Sequence, residues 1–535
     1  MNILWFLCLL SSGIPPGFDE SVSNQLRVRV EQQAALGNLP LLDENLHSQI
    51  LLPKIYQERF FRPIWFESGT LKANFPSLLG ILETAVEHGL EGETYHLNRL
   101  KALSDQWKTV GKQNALLAVE MDLLATDGFL MFVTHLASGS VDRERIGANW
   151  RADRAEIDPA DFLTRAMVLE DLSALFQELH PTHPHYRSLQ DSLAFWREQP
   201  QPSMDPFKFG PAIKPLQHHD QIPALRQLLL PSSVDSPVYD GELVSAVRNF
   251  QENNGLNPDG IVGDGTRWML NLKPVDRINL IRANLERWRW LPRNLGTHHI
   301  IVNIAAYSMQ VVDQGNEVLS MDVIVGRPFR ETPVFSAEMT YLVLSPFWNV
   351  PPSLIEKDKL PVIKKNPEKL KAQGFRAFDG WGADAAELDL MTVGSKLTGG
   401  NKFPYRLRQD PGPLNALGDV KFMFPNPYNV YLHDTPDREL FKKSERSFSS
   451  GCIRISRPID LAVYLLGRQD KWTRERILET IAARREVSVP LSQRYRVHLL
   501  YWTVFVKGGQ VCFALDIYDR DKKLIQALNG LNENG

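Results

Sequence analysis

The sequence is poor in cysteine and has no marked excess of charge of either sign. Its 535 residues include three cysteines, at positions 8, 452 and 512, which are too few for a disulfide framework and too widely spaced for a structural zinc site. The 60 basic and 63 acidic residues leave a formal net charge of -3, whereas an extended nucleic-acid contact needs clustered lysines and arginines. We therefore expect neither a disulfide scaffold nor a nucleic-acid partner.

Long apolar runs are also missing. An unbroken apolar stretch runs from Ile3 to Leu10, well short of the ~20 residues that span a bilayer. We interpret residues 1–13 as a secretory signal peptide, which predicts export to the periplasm with no stable membrane span. No lysine or arginine precedes the run, so a buried N-terminal segment is the alternative.

The length of the chain exceeds one ordinary core and predicts three to four domains. Helical periodicity predicts a helical scaffold domain over residues 22–205, which ends in a proline-rich linker. The histidines at 180, 183 and 185 are interpreted as loop residues rather than metal ligands, because two prolines separate them and no acidic partner has ligand spacing. A small helical unit follows over residues 212–273, in which Asp240 is placed to cap a helix.

From residue 298 the pattern changes to short β-branched runs, which predict a mainly-β domain over residues 298–480. A helical and loop subdomain is predicted as an insertion at about 354–417. Late apolar runs predict C-terminal strands, over residues 490–535, that pack on this domain. The predicted fold class is multi-domain α+β.

The chemistry is concentrated in two stretches, Tyr431-Leu-His433-Asp-Thr-Pro436 and Ser449-Ser-Gly-Cys452-Ile-Arg454. A cysteine that follows a glycine at the end of a loop is typical of a displayed nucleophile, and a histidine at a strand end could serve as its base. Gly451 permits a sharp turn that directs main-chain N–H groups at a developing oxyanion. A buried, inert cysteine is the structural alternative.

These stretches resemble the signature of the L,D-transpeptidase catalytic domain of bacterial cell-wall enzymes. Further matches are the segments 325–335, 346–352 and 407–418. The segments 246–251 and 258–263 resemble the small three-helix peptidoglycan-binding domain. Together with the helical scaffold, they place the chain in the long, multi-domain periplasmic branch of the family.

The resemblance assigns roles to residues of this chain. It implies that Cys452 is the nucleophile, that His433 is the general base and acid, and that Gly451 lies at the oxyanion pocket. Further residues are predicted to shape the pocket or contact substrate: Arg454, Ser449, Ser450, Tyr431 and Trp348. Many members have histidine where this chain has Ser450, which leaves His433 as the single histidine of the motif. Alternatively, Tyr431 and Trp348 are buried residues of the core.

The implied reaction is a two-step acyl transfer that needs no metal or organic cofactor. Cys452 attacks a donor tetrapeptide stem, D-Ala leaves, and the thioester passes to an amine of another stem to form a 3-3 cross-link. The implied partners are peptidoglycan peptide stems and glycan strands, with other wall synthases as further candidates. Such a protein would act in cell wall biogenesis, cell wall organization and the maintenance of cell shape.

Two alternatives remain open. An L,D-carboxypeptidase or endopeptidase would hydrolyse the same thioester, and a wall-binding protein would lack catalysis altogether. A disulfide between Cys452 and Cys512 would silence the enzyme in an oxidising compartment. Cys512 lies in an apolar run, so we expect it to be a core residue instead.

Overall fold

The computed structural model describes residues 17–36, 46–110, 114–152, 157–201, 205–232, 236–382, 384–396 and 403–530. The predicted signal segment, residues 1–13 with Cys8, lies outside them. In the described ranges, no helix has the length and apolar character needed to cross a membrane.

The N-terminal third of the chain is helical and has its own apolar core. The central helix, α5, begins where the Asn114 side chain accepts a hydrogen bond from the Leu117 N–H, 3.1 Å away. Its buried residues, among them Leu124 and Phe129, contact the surrounding helices. The helices are α1 Phe18–Leu36, α2 Leu51–Glu58, α3 Asn74–Glu83, α4 Leu97–Val110, α5 Ala115–Ser138, α6 Pro159–Ala166, α7 Ser173–Gln177 and α8 Pro184–Glu198; the strands are β1 Phe66–Glu67, β2 Thr70–Leu71 and β3 Trp150–Arg151.

One local prediction in this region is wrong. His185 belongs to the first turn of α8 rather than to an extended loop. The reason is that proline favours the first position of a helix, and the His183 ring accepts a hydrogen bond from the His185 N–H at 3.2 Å. Pro184 therefore starts a helix instead of preventing one.

The small helical unit consists of α9 Ile222–Leu229, α10 Gly241–Asn253 and α11 Asp264–Asn271. The predicted cap is confirmed, because the Asp240 carboxylate accepts a hydrogen bond from the Leu243 N–H at 3.0 Å. The Gln251 side chain accepts a hydrogen bond from the Gly260 N–H of the following turn and donates one to the Thr266 hydroxyl of α11. A separate apolar cluster with Tyr239 and Val247 fills the interior of this unit.

The C-terminal half contains a sheet that closes on itself. Eight strands pair in the order β12-β13-β15-β6-β5-β4-β16-β7, and β12 also pairs with β7, so the pairings form a ring around the main apolar core. The C-terminal strand β16 is one of the strands of this ring and lies between β4, to which it is parallel, and β7, to which it is antiparallel. The strands are β4 His298–Asn303, β5 Ser308–Asp313, β6 Asn316–Gly326, β7 Val334–Leu344, β12 Val420–Met423, β13 Leu432–His433, β14 Ser447–Ser449, β15 Ile453–Ile455, β16 Val487–Leu500, β17 Val504–Lys507 and β18 Gln510–Phe513; the helices are α12 Pro274–Arg289, α17 Pro458–Leu466, α18 Arg474–Ala482 and α19 Asp521–Gly530.

Between β7 and β12 the chain forms a subdomain that contains a small sheet as well as helices. Its four strands pair in the order β10-β9-β11-β8. A π-helical turn over Ile355–Lys359 joins its first two helices. The elements are β8 Trp348–Asn349, β9 Phe375–Phe378, β10 Glu387–Leu388, β11 Arg406–Gln409, α13 Pro352–Leu354, α14 Leu360–Lys365, α15 Pro367–Ala372 and α16 Leu390–Lys396.

Helix α12 joins the helical and β regions. Trp288 is buried and stacks on Trp502 with ring centroids 4.3 Å apart. Arg287 forms an ion pair with Asp521 of α19 at 2.5 Å. A helical N-terminal region and a mainly-β C-terminal region thus confirm the predicted multi-domain α+β class.

Candidate active site

Cys452 and His433 are brought together by two neighbouring parallel strands. Cys452 directly precedes β15 and His433 ends β13, and the register pairs Leu432 with Ile453 and His433 with Arg454. Leu432 and Ile453 are buried in the barrel core. Because side chains alternate along a strand, Cys452 and His433 share the other face of the sheet, opposite the face that carries Leu432 and Ile453.

The turn before the nucleophile is held by three hydrogen bonds. The Ser449 hydroxyl donates to the Cys452 carbonyl at 2.5 Å and accepts from the Gly451 N–H at 3.1 Å. The Thr332 hydroxyl donates to the Gly451 carbonyl at 2.8 Å. Gly451 has φ +114, a backbone region that residues with a side chain rarely adopt. The turn therefore requires glycine and fixes the direction of the Cys452 side chain.

The Cys452 thiol is partly exposed, whereas Cys512 is buried. Neither of these two cysteines is in a disulfide. The Cys452 sulfur lies 3.8 Å from the Asn429 carbonyl. Burial raises the pKa of Cys452, while Tyr431 and the charges of Lys421 and Arg454 act in the opposite direction. The resting nucleophile is therefore a neutral thiol at neutral pH.

The His433 imidazole is buried, and its tautomer follows from its hydrogen bond. Its Nδ1 atom lies 2.6 Å from the Asp434 carbonyl, which can only accept, so Nδ1 carries the proton. Nε2 is then left as a lone-pair acceptor. Burial, and next the Arg454 charge, lower the pKa of His433 to about 3. His433 is therefore uncharged and able to accept a proton.

The other predicted residues lie around this pair. Arg454 is half-buried and donates to the Asp437 carboxylate at 3.0 Å, which ties β15 to the loop after β13. Tyr431 is half-buried and its ring meets that of His433 edge-on, with centroids 5.6 Å apart. Ser449 is buried in the turn described above.

Ser450 and Trp348 lie where the barrel meets the inserted subdomain. Ser450 is exposed, and its hydroxyl accepts a hydrogen bond from Arg330 at 2.9 Å. Arg330 also forms two bonds to Asp358 of the π-helical turn, at 2.7 and 3.0 Å. Trp348 packs edge-on against Phe375, with ring centroids 5.9 Å apart.

Two functional candidates were missed in the sequence. Lys421 of β12 pairs in register with His433, and its ammonium group lies 3.9 Å from the centroid of the Tyr431 ring. Arg330 joins Ser450 to the insertion. The only signal for Lys421 was a lysine alternating with buried residues in the strand Val420–Met423, a pattern shared by any strand with a solvent face.

A cavity of about 480 Å³ opens at the other end of the two strands. It is lined by Asp434, Thr435 and Ser456, which follow β13 and β15, and by Arg438 and Asp460. Cys452 lies at the opposite end of β15 and does not line it. We therefore place the chemistry at Cys452 rather than in this cavity. In the part of the chain that the structure describes, no group of three or more His, Cys, Asp or Glu side chains could hold a metal ion.

Comparisons with known proteins identify the three regions. Residues 297–474 match the family described as "L,D-transpeptidase catalytic domain", residues 51–193 match "Scaffold domain", and residues 224–270 match "Putative peptidoglycan binding domain". The chain carries an L,D-transpeptidase catalytic domain. It joins that domain to a scaffold domain and a peptidoglycan-binding domain, as the sequence predicted.

A curated protein of Haemophilus influenzae, named "Putative L,D-transpeptidase", is 36% identical over 247 residues. The match covers 46% of this chain and 48% of that protein, so the chain spans about half the length of its relative. The chain also resembles solved structures, of which two are described here. The L,D-transpeptidase of Xylanimonas cellulosilytica has 15% identity, a TM-score of 0.18, and coverage of 56% of this chain and 100% of the other. The Ldtfm–avibactam carbamoyl enzyme has 12% identity, a TM-score of 0.16, and coverage of 39% and 51%.

Proposed function

We propose that this L,D-transpeptidase-family chain forms 3-3 cross-links in peptidoglycan through a Cys452 thioester. The observation that carries the proposal is the placement of Cys452 and His433. Nineteen residues separate them in the sequence, and the parallel pairing of β13 and β15 sets them on one face of the sheet. A thiol and a neutral imidazole on one face of neighbouring strands can serve as the nucleophile and the base of an acyl transfer.

In the first step, His433 Nε2 takes the thiol proton as the Cys452 sulfur attacks the carbonyl of the third residue, a diamino acid, of a donor tetrapeptide stem. The bond between that carbonyl carbon and the D-Ala nitrogen then breaks. The imidazolium returns its proton to the leaving nitrogen, so D-Ala departs as an amine and the thioester remains. In the second step, an amine from another stem attacks the thioester, His433 takes its proton, and the sulfur leaves and is reprotonated.

The oxyanion that forms in both steps needs nearby hydrogen-bond donors. One main-chain donor is worth roughly 3 kcal/mol, about a hundredfold in rate. The Gly451 N–H donates to the Ser449 hydroxyl in this structure, so it would have to leave Ser449 to reach an oxyanion. The oxyanion role of Gly451 therefore stays a prediction, as do the substrate contacts of Arg454, Ser449, Ser450, Tyr431 and Trp348.

The peptidoglycan-binding domain supports a polymeric substrate. Its Asp259 carboxylate accepts a hydrogen bond from the Ser444 hydroxyl at 3.3 Å, in the loop that leads to the nucleophile. A glycan strand held on this domain would raise the local concentration of peptide stems near Cys452. We propose peptidoglycan stems and glycan strands as the partners, with the periplasm as the location of the reaction.

Analysis of muropeptides by mass spectrometry tests the proposal. The purified chain is incubated with tetrapeptide-containing muropeptides, and we expect 3-3 dimers together with free D-Ala. Cys452→Ala should abolish both products, while Cys512→Ala, a matched thiol control outside the site, should keep them. Trimmed tripeptides without dimers would show a carboxypeptidase instead. Binding to peptidoglycan without any product would show a wall-binding protein.

A further inference from the structure

Lys421 lies on the same face of the sheet as the candidate nucleophile. Its neighbours in β12, Val420 and Phe422, are fully buried in the barrel core, so the Lys421 side chain lies on the other face. The register places it opposite His433, whose strand is the neighbour of the strand that follows Cys452. β12 therefore contributes a cation to a face that already holds the thiol and the imidazole.

The Lys421 ammonium group contacts Tyr431 rather than a carboxylate. It lies 3.9 Å from the ring centroid, a short distance for a cation over an aromatic face. Tyr431 in turn lies beside Cys452, because the adjacent Ile453 N–H donates to the Tyr431 carbonyl at 3.1 Å, and Tyr431 acts to lower the pKa of the Cys452 thiol. The positive charge of Lys421 over the Tyr431 ring makes the Tyr431 hydroxyl a stronger hydrogen-bond donor. It also holds the ring in place.

The charges around Lys421 leave it without a close counter-ion. Among the described residues, no carboxylate is ion-paired with its ammonium group, and Glu486 is the one acidic side chain, besides the Cys452 thiol, that acts to raise its pKa. The Glu486 carboxylate accepts a hydrogen bond from the Phe347 N–H at 2.7 Å. Arg454, the other cation near the thiol, is paired with Asp437. A thiolate at Cys452 would thus be the natural counter-charge of Lys421.

We propose that Lys421 is a positioning residue that stabilises the thiolate of Cys452, by its charge and by holding Tyr431 beside the sulfur. The groups that face it are Cys452 of the β15 turn, Tyr431 and His433 of the β13 segment, Arg454 of β15, and Glu486 before β16. The proposal rests on the proposed function only in taking Cys452 as the nucleophile. It concerns the ionisation of the thiol, which can be measured without any cross-linking reaction.

The test is the pH dependence of Cys452 alkylation in the full chain. The thiolate sulfur displaces iodide from iodoacetamide, and mass spectrometry of the peptide that contains Cys452 follows this site separately from the other cysteines. We expect Lys421→Met to slow alkylation about tenfold at pH 8, which corresponds to a rise of about one unit in the thiol pKa. Lys421→Arg should stay within about threefold of the unmodified protein, because arginine keeps the cation.

A further pair of variants tests the path through Tyr431. Tyr431→Phe keeps the ring and removes the hydroxyl, so it should slow alkylation by itself. In that background, the effect of Lys421→Met should shrink to less than about threefold, because the part of the effect that acts through the Tyr431 hydroxyl is gone. Lys369→Met, at an exposed lysine of α15, is the matched control and should leave the profile unchanged.

Three outcomes would overturn the proposal. One is an unchanged alkylation profile in Lys421→Met. Another is an equal loss in Lys421→Arg and Lys421→Met, since charge would then be irrelevant. The third is a folded Lys421→Arg with unfolded Lys421→Met and Lys421→Gln, since the lysine would then serve the fold. Failure of the muropeptide assay would leave the alkylation results intact, so the two proposals fail separately.

Discussion

At the scale of single residues, the thiol and the imidazole begin the reaction without charge. The pKa of Cys452 is raised by burial, and the pKa of His433 is lowered to about 3 by burial and then by Arg454. A preformed thiolate–imidazolium pair would need the opposite shifts. Deprotonation of the thiol therefore has to accompany its attack on the substrate, with His433 as the base.

This arrangement predicts the pH profile of donor-stem turnover. Because the folded-state pKa of His433 lies far below its ordinary value of 6.5, the imidazole stays a competent base down to about pH 4. We expect kcat/KM for D-Ala release to show no inflection between pH 5.5 and 7.5, values chosen to bracket roughly the ordinary histidine pKa. The rate of release at a series of pH values, with substrate well below KM, gives this profile.

A variant of Arg454 tests whether the charge of this residue helps to lower the pKa of His433. Its charge is the second contribution that lowers the pKa of His433, so Arg454→Met should move the acidic limb of the profile to higher pH. An inflection near pH 6.5 in the unmodified protein would contradict the prediction, since it would show an imidazole with an ordinary pKa. An acidic limb that does not move in Arg454→Met would contradict the assigned cause.

At the scale of elements, the nucleophile turn is tied to the inserted subdomain by Arg330. This side chain bonds Ser450 on one side and makes two bonds to Asp358 on the other. The Asp358 hydrogen bond raises the pKa of Arg330, and the Arg330 hydrogen bond lowers the pKa of Asp358. The pair is consequently intact at neutral pH and is weakened only as the pH falls through the lowered pKa of Asp358.

Asp358→Asn should loosen the subdomain while changing global stability little. A partly exposed ion pair contributes about 1 kcal/mol or less, so the unfolding temperature should fall by only about 2 °C. Hydrogen exchange should nevertheless become faster in residues 352–365, because the π-helical turn loses its attachment to the barrel. Glu356→Gln, an exposed change in the same turn, is the matched control. Equal exchange in both variants would show that the Arg330 contact does not hold the turn.

The elements also show how much of this molecule could be predicted from its sequence. Cys452 and His433 stood out because their residue types and flanking glycine and proline are local features. The strand pattern also indicated β16, but periodicity does not reveal strand neighbours, and so its place between β4 and β7 could not be foreseen. The same holds for Lys421, whose neighbour His433 is set by register alone.

At the scale of the whole molecule, several histidines are buried without charge in both the helical and the β regions. Burial lowers the pKa of His88 to about 3 and that of His135 to about 4, and His433 has a pKa of about 3. His88 and His135 bond the hydroxyls of Tyr186 and Tyr95, at 2.9 and 3.0 Å. The neutral rings of His88 and His135 are packed where the scaffold helices meet α12. Their protonation would therefore affect the contact between the helical region and the β region.

The buried histidines predict a loss of stability in mild acid. Their folded-state pKa values lie below 6.5, so between pH 6.5 and 4 the unfolded chain binds more protons, and unfolding becomes more favourable as the pH falls. At pH 5 each such histidine contributes about 2 kcal/mol less to stability than at pH 7. We expect the thermal unfolding temperature to fall by on the order of 5 °C or more between these two pH values.

His135→Gln isolates this effect, because glutamine can still bond the Tyr95 hydroxyl but does not titrate. The variant should have a smaller difference in unfolding temperature between pH 7 and pH 5 than the unmodified protein. His218→Gln, at an exposed histidine of the peptidoglycan-binding region, should keep the full difference. If His135→Gln also kept it, protonation of the buried ring could not be the cause, and the acid sensitivity would have to come from carboxylates such as Asp127, whose pKa is lowered by its bonds to His96 and the 47–48 backbone.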